Sequence, residues 1–571
     1  MDLSTAIKLA DSDVKIDIEV PFKLCAGPGA GKTRFLINHI NNILSNSKRL
    51  SKVRKIACIT YTNVGVETII GRLENIIDYV DVSTIHSFLY KNILKPYLWV
   101  LKDEFSFPFE QIDGHDEVMP SYSILKEWKE RSVQQRIRDD KKLAKALMKL
   151  RWELQDDGNI ELRFKYVSDG KIDGYNLKKE SYLTYKKICW EKGLISHDDV
   201  LFLSYEILRK QPRILEFLRA KFPYILVDEF QDTSPIQSKI ITMIAAKEVI
   251  VGVIGDVCQS IYKFQGADVQ KFISFTLPEM KLLMIENNHR STQQIIDVLN
   301  DVRNEAEFIQ NSPKNKQGSK PVILVGSFFE AYKQANQLCN CQPICTLTFR
   351  NDMSNIMKYG FEDYFSDDVS NELIFSDGDR GKMIFFVITA LEYCRQNKIK
   401  DALKFVRKAY RKDAEFDDKK ALLNIKRLMC DYDKFGDLCI KDFYNNYLFN
   451  FNGTKGKISS GKASEYYTEL KYSKVAVAIN IADDNSMNRT IHKAKGDQFD
   501  NVLLILQPKE NYEENEELGF LLNSDMSKEE HRVYYVALSR ARNKLFINVP
   551  QLSQENISKL SKFDLIHLTP C

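Results

Sequence analysis

Long apolar runs are missing from this chain: nowhere do about 18 consecutive apolar residues occur, the length that carries a helix across a bilayer. Met1 to Lys15 also lack a basic stretch followed by an apolar core, so no secretory leader is read there. Glycine and proline are sparse, 24 and 15 of 571 residues, and no long segment is low-complexity, which excludes collagen-like and disordered classes. The 11 cysteines are odd in number and scattered, unlike a secreted disulfide framework. Their one cluster, Cys339, Cys341 and Cys345, has neither a fourth ligand nor the CxxC-type spacing of a zinc site. A dominant charge is absent too, with 82 Lys and Arg against 78 Asp and Glu. The expectation is a folded, soluble, cytoplasmic protein with no membrane partner.

With 44% hydrophobic residues and a length that implies about three to five domains, the chain can bury more than one core. Its charge is unevenly placed. Ser121 to Leu150 holds nine basic residues against four acidic, and Arg395 to Arg427 twelve against five. Such segments are either solvated helix faces or contacts to nucleic-acid phosphates.

Phe22 to Ala26 is a short apolar run, broken by Gly27-Pro28-Gly29-Ala30-Gly31-Lys32-Thr33, after which Arg34 to Leu44 has helical apolar spacing. Strand, glycine-rich loop and helix in that order build a phosphate cradle. Backbone N–H groups can wrap phosphate oxygens only where side chains are missing, and the helix N-terminus adds favourable partial charge. Lys32 is expected to reach the β and γ phosphates of ATP, and the Thr33 hydroxyl to ligate Mg²⁺. Ala26 stands where the strict pattern has glycine. A second apolar strand, Tyr224 to Val227, ends in Asp228-Glu229. We assign Asp228 to the metal and Glu229 to the general base that takes a proton from the attacking water.

Further along come Ile59-Thr60-Tyr61-Thr62-Asn63, Ser83-Thr84-Ile85-His86-Ser87-Phe88, and Val227 to Thr233. Gly255 to Ala267, Asn288-His289-Arg290-Ser291-Thr292, Thr490 to Gly496 and Val533 to Arg542 follow. In this order the chain resembles the superfamily 1 helicases of the UvrD, Rep and PcrA type, over residues 26 to 542.

The resemblance implies roles. Gln259 would sense the γ phosphate, and Arg290 and Arg540 would reach it from a second motor lobe; a guanidinium is permanently charged and matches phosphate oxygens with a fork of donors. Gly27, Gly29, Gly31, Arg34, His289, Gly496 and Gln498 would complete the nucleotide site. Tyr262 and Phe264 would stack on bases without reading sequence. Thr60, Thr62, Asn63, Thr84, His86 and His492 would contact a single strand, mainly through its phosphates. Three features depart from the family. Residues 1 to 26 hold no glutamine to read adenine, His289 replaces a stacking tyrosine, and Gln498 and Gln265 replace the usual glutamate and arginine.

The fold class implied is α/β: two RecA-like P-loop lobes with parallel sheets, each carrying a mainly helical insert. Residues 1–95 and 196–282 form the first lobe and 96–195 its insert; 283–375 and 478–571 form the second lobe and 376–477 its insert. Both basic segments fall in the inserts. Because 29 residues follow Arg542, no appended nuclease domain is expected. The implied activity is an ATP-dependent translocase or helicase on single-stranded or tailed DNA, of 3′ to 5′ polarity. Compact proteins of this type also resemble the helicase-like subunit of Gabija anti-phage systems, which pairs with an OLD-family nuclease. A nucleotide-gated regulator of such a nuclease and a housekeeping repair helicase stay open as alternatives.

Overall fold

The computed structural model describes residues 3–568 apart from 74–77, 109–111, 113, 246–247, 360–367, 412–415, 450, 452–455, 480–485 and 507–511. It forms two compact units, one of residues 1–119, 146–349 and 490–571, the other of 120–145 and 350–489. Among the described residues no helix is long and apolar enough to cross a membrane.

The first unit holds two sheets. One comprises β1 (Ile7–Lys8), β2 (Phe22–Ala26), β3 (Ile56–Thr60), β4 (Val80–Thr84), β5 (Tyr224–Val227), β6 (Ile250–Gly255) and β7 (Lys281–Ile285). Their order is β1-β7-β2-β6-β5-β3-β4, and all neighbours are parallel. Every residue of β2, β3, β5 and β6 is buried. A parallel strand covered on both faces has no solvent side to reserve for polar residues, which is why these segments are apolar apart from Lys23 and Thr60. Parallel pairing also brings the C-terminal ends of β2, β3, β5 and β6 to one edge, from which residues 27–33, 61–63, 228–233 and 256–267 lead on.

Helix α1 (Lys32–Asn46) starts at Gly31 and buries Phe35, Leu36, His39, Ile40 and Ile43, one stripe at helical spacing. That stripe joins Leu24, Ile56, Leu226 and Ile254 in a shared core. Each fully buried aliphatic side chain there contributes about 1.5–3 kcal/mol. Helix α2 (Asn63–Leu73) follows β3 and buries Ile69 and Leu73.

The second sheet comprises β8 (Val322–Val325), β9 (Ile344–Thr348), β10 (Asn488–Thr490), β11 (Phe499–Ile505), β12 (Ala541–Val549) and β13 (Asp564–His567). Its order is β10-β9-β11-β12-β8-β13, with parallel pairing from β9 through β13. Helix α3 (Gln293–Arg303) and helix α4 (Glu529–Leu538) pack together beside it. Asn304, left-handed at φ 49°, ends α3. Two parallel α/β lobes are therefore present, as the motifs imply.

The region 96–195 is less uniformly helical than its sequence suggests. Leu150–Leu154 pairs antiparallel with Ile160–Phe164, and Lys171–Ile172 with Tyr175–Asn176. Leu150 and Trp152 are buried while Arg151 between them is exposed, the two-residue alternation of a strand. Residues 120–145, placed with the first insert on sequence, group instead with 350–489: Lys382 Nζ donates to the Pro120 carbonyl at 2.5 Å. Helices Gly378–Arg395, Ile399–Ala409 and Asp418–Cys430 dominate this second unit, around Ile384, Leu391, Val406, Ile425 and Tyr444.

Candidate functional site

The glycine loop joins β2 to α1 at the C-terminal edge of the first sheet. Gly29 and Gly31 have φ of 73° and 85°, a conformation that L side chains rarely adopt. A Cβ on Gly29 would also lie 2.2 Å from Asn288 Oδ1. The loop is capped from the second lobe: His289 N–H donates to Gly29 O at 3.0 Å, and Gln310 Nε2 to Pro28 O at 3.0 Å. Inside it, Lys32 Nζ donates to the carbonyls of Ala26 (3.1 Å) and Gly27 (3.3 Å). Burial lowers the Lys32 ammonium pKa, against the pull of Glu229, Asp256 and Asp228.

Asp228 and Glu229 follow β5 directly. Glu229 sits at φ 53°, a left-handed position that costs a non-glycine residue about 1–3 kcal/mol. Gln231 Nε2 donates to Glu229 Oε2 at 2.5 Å, while Gln231 Oε1 accepts from Asp256 N at 3.1 Å. The two neighbouring carboxyls are driven apart in acidity. Burial and the adjacent Glu229 raise Asp228. Burial would raise Glu229 as well, but Lys32, Lys495, the Gln231 amide and Arg540 together hold it below the usual range. Asp228 with the Thr33 hydroxyl is a hard oxygen set of the kind Mg²⁺ prefers, and its raised pKa marks a buried carboxylate short of positive charge.

The second lobe supplies cations to this edge. Arg540 is only 2% exposed and donates to Val536 O (3.0 Å), Asp497 O (3.2 Å), Ser539 Oγ (2.8 Å) and Gln259 Oε1 (3.3 Å). Gln259 Nε2 in turn donates to Asp256 Oδ2 at 2.6 Å. Arg290 donates to Ser539 O at 2.7 Å and to Gln498 Oε1 at 3.2 Å. Burial lowers the Arg290 guanidinium to about 9, with Arg540 and Arg542 adding to the effect. Arg540 thus reaches Gln259 of the first lobe, while the Arg290 guanidinium is held by Ser539 and Gln498 of its own lobe and feels the charge of Glu229. Arg34 makes a bidentate pair with Asp13, Nε to Oδ1 at 2.7 Å and Nη2 to Oδ2 at 2.5 Å. His289 is exposed beside the loop, and Gly496 occupies a turn at φ 93°.

Several partners lie outside the assigned set. Arg303 of α3 donates to Asp256 Oδ1 at 2.9 Å, both side chains nearly solvent-free. Burial would raise the Asp256 carboxyl, but Arg303 and Lys32 hold it low. Gln231, Asp256, Asn288 and Lys495 fall within the motifs, whereas Arg303 and Gln310 carry no local signal.

Beyond Gln259 lies an aromatic group. The Tyr262 ring is buried, stacks on Tyr61 at 4.8 Å, and its hydroxyl donates to His492 O at 3.2 Å. Phe264 is 54% exposed and meets the His492 ring edge-on at 5.3 Å. The structure therefore brings Tyr262, Phe264 and His492 together, and offers Phe264 to solvent. Thr60 is buried at the end of β3, while Thr62 and Asn63 are exposed. Thr84, opposite Thr60 in register, caps the helix Ile85–Leu89 by accepting from Ser87 N.

His86 does not join the aromatic group. It sits in a histidine cluster with His115 and His197, whose Nδ1 atoms are 2.6 Å apart. Burial, then His197 and His115, push His86 down to about 3. In the basic segments, Lys129, Arg131 and Lys142 pair with Asp140, Glu127 and Asp139, and Arg395 and Arg407 with Glu392 and Asp418. Lys412, Asp413 and Glu415 of the second segment lie outside the described residues.

A phosphate loop on one parallel sheet, completed by arginines carried on another, places the protein in the class of two-lobed P-loop folds. Comparison with known proteins narrows this. Residues 11–278 match the UvrD/REP helicase N-terminal domain and residues 395–551 the UvrD-like helicase C-terminal domain. The chain belongs to the UvrD/REP helicase family. It is 28% identical over 288 residues to the ATP-dependent DNA helicase PcrA of Bacillus subtilis, covering 49% of this chain and 37% of that protein. Against the PcrA helicases of Staphylococcus epidermidis and Staphylococcus aureus it is 27% and 26% identical over 294 residues, 50% of this chain and 38% of theirs. The match spans little more than a third of these relatives' length.

Proposed function

We propose that this protein is an ATP-dependent DNA translocase and helicase of the UvrD type, cytoplasmic, stimulated by single-stranded DNA and moving 3′ to 5′. The carrying observation is the contact of Arg540, from the second lobe, with Gln259 of the first, beside the Asp228–Glu229 pair. Family membership supports the activity and the polarity.

In this reading Lys32 exchanges the Ala26 and Gly27 carbonyls for the β and γ phosphates of ATP. Thr33 and Asp228 would hold Mg²⁺, which supplies positive charge against the phosphates. Glu229, kept ionised by the cations around it, accepts the proton of the attacking water. Gln259 orients that water or the γ phosphate. Arg540 and Arg290 stabilise the charge that develops on the phosphoryl oxygens. Loss of the γ phosphate releases Gln259 and Arg540 from their shared anion and loosens one lobe from the other. That is a two-state element biased by nucleotide. Phe264 and Tyr262 sit on the loop that follows Gln259 and meet His492 of the second lobe, so the same change alters the grip on a stacked base.

The test compares wild type with Lys32→Ala and Glu229→Gln in ATP hydrolysis with and without a single-stranded oligonucleotide, and in unwinding of 3′- and 5′-tailed duplexes. Hydrolysis falls in both variants, and Glu229→Gln still binds nucleotide. Wild-type hydrolysis unaffected by the oligonucleotide would remove the motor reading.

A nuclease partner of the OLD family, as in Gabija defence, is supported by the compact inserts and by the sequence resemblance. Co-purification of the nuclease with this protein, and nuclease activity that changes with Glu229→Gln, are the expected results.

A further inference from the structure

Lys495 enters the reading above only as one of the cations around Glu229, yet its surroundings are unusual. Its ammonium, carried on the second lobe, is 6% exposed and touches three different parts of the first. It forms an ion pair with Asp232, whose side chain has no solvent exposure. It donates to the Gln259 carbonyl at 2.7 Å. It also lies over the Tyr262 ring, 4.8 Å from the centroid. An ammonium has three donors and no acceptor, so one side chain can hold all three partners.

Each partner leads somewhere. Asp232 closes the short turn that Glu229 opens, and Gln231 Nε2 lies 2.5 Å from Glu229 Oε2 and 3.4 Å from Asp232 Oδ2. Gln259 is the residue whose side chain meets Arg540. Tyr262 is the ring stacked on Tyr61 and tied by its hydroxyl to His492. The contacts of Lys495 therefore run from the acidic turn of the nucleotide site to the aromatic group.

We propose that Lys495 is a positioning residue that couples the occupancy of the nucleotide site to the posture of Tyr262, and so to the grip on a DNA base. A buried cation cannot be left without its counter-charge, so Lys495 and Asp232 move as a pair. When a triphosphate draws Arg540 and the Gln259 side chain toward its γ phosphate, the Gln259 carbonyl shifts with them. Lys495 then either follows it or leaves it, and the face of Tyr262 loses or keeps its cation. The two lobes thus acquire two discrete arrangements instead of a continuous slide, which is what coupling between distant sites requires. Arg303 paired with Asp256 lacks this reach, because its partners are acidic groups and Phe308.

The inference rests on the motor reading, and its test separates the two. The full chain is prepared as wild type, Lys495→Met, Lys495→Arg, Asp232→Asn and the double variant Lys495→Met/Asp232→Asn. Three quantities are read: affinity for a fluorescent ATP analogue, the ratio of hydrolysis at saturating oligonucleotide to hydrolysis without it, and the change in oligonucleotide affinity on adding a non-hydrolysable analogue. In Lys495→Met the stimulation ratio falls by about 5- to 150-fold, the usual span of a coupling between sites. The analogue-dependent change in DNA affinity collapses in parallel, while nucleotide affinity is kept. Lys495→Arg restores part of the ratio, and the double variant is no worse than Lys495→Met. A ratio equal to wild type in Lys495→Met overturns the inference and leaves the motor reading standing. A wild type without stimulation overturns both. If Lys495→Met does not bind nucleotide, Asp232→Asn decides: its ratio falls if the pair transmits the signal, and stays at the wild-type value if it does not.

Discussion

Replacing Arg540 by alanine probes the division of one active site between two lobes. The guanidinium is buried and makes four hydrogen bonds, three within its own lobe and one to Gln259 of the other. Truncation leaves the carbonyls of Val536 and Asp497 without this donor, at about 1–3 kcal/mol for each that stays dry. Removal of a desolvated charge offsets part of that, so the variant melts lower but folds. The rate effect is of another size. An arginine delivered to a transferring phosphoryl group contributes about 10³–10⁵ in kcat, or about 4–7 kcal/mol of barrier at 1.36 kcal/mol per tenfold. Nucleotide affinity depends chiefly on the loop and Lys32, and falls by about 10- to 150-fold at most, one hydrogen bond to a charged group being worth about 1.5–3 kcal/mol. Arg540→Lys keeps the charge but not the fork, and cannot hold Gln259, Ser539 and Asp497 together; it recovers stability better than rate. The assay is steady-state hydrolysis with saturating oligonucleotide, beside equilibrium binding of a fluorescent analogue and a thermal melt. A kcat within tenfold of wild type in a folded Arg540→Ala protein would refute the shared-site mechanism.

Two further perturbations address DNA and stability. Phe264 is largely exposed, so Phe264→Ala leaves the melting temperature unchanged, yet the loss of a stacking ring costs about 1–3 kcal/mol per base. Fluorescence anisotropy with a short single strand therefore reports weaker binding by about 5- to 150-fold, and an unchanged affinity removes Phe264 from the DNA site. His39 is 4% exposed, neither ring nitrogen has a hydrogen-bond partner among the described residues, and burial lowers it to about 4. Its folded pKa lies below the unfolded value near 6.5, so as the pH falls from 6.5 toward 4 the unfolded chain takes up a proton that the folded one refuses. Stability is lost across that window by about 3 kcal/mol. Melts of wild type and His39→Leu from pH 7 to about 4.5 should show a shallower acid slope in the variant, and parallel curves would contradict the assignment.

The lobes were legible because buried parallel strands and a phosphate loop each impose residue types on adjacent positions. Tyr224 to Val227 is apolar throughout, and Phe22 to Ala26 is apolar but for Lys23, because both faces of their strands are covered. Gly29 and Gly31 are glycines because of the conformation they must hold. The hairpin Leu150–Leu154 was obscured by its helical neighbours, Tyr122–Arg131 and Asp140–Met148, since alternation over five residues is a weak signal beside them. Contacts within the chain were legible only between near neighbours.

Where the fold chooses the partner, sequence spacing says nothing. Arg34 follows Thr33 of the loop and reads as a nucleotide contact, yet its fork closes on Asp13, 21 residues earlier, in the segment that lacks a glutamine. Gln498 stands where a ribose contact is usual, and Arg290, 208 residues away, occupies its oxygen. Arg303 belongs to no motif, but a buried carboxylate at Asp256 requires a cation, and α3 is the helix that delivers one. Lys495 sits inside a motif and still reads as a surface lysine until Asp232, 263 residues before it, is placed alongside. These four pairings share a cause. A salt bridge or amide contact between elements far apart in sequence constrains two positions jointly and neither one alone. In this chain two of the four, Arg303–Asp256 and Lys495–Asp232, join one lobe to the other, so contacts between the lobes are among those a linear reading is least able to see.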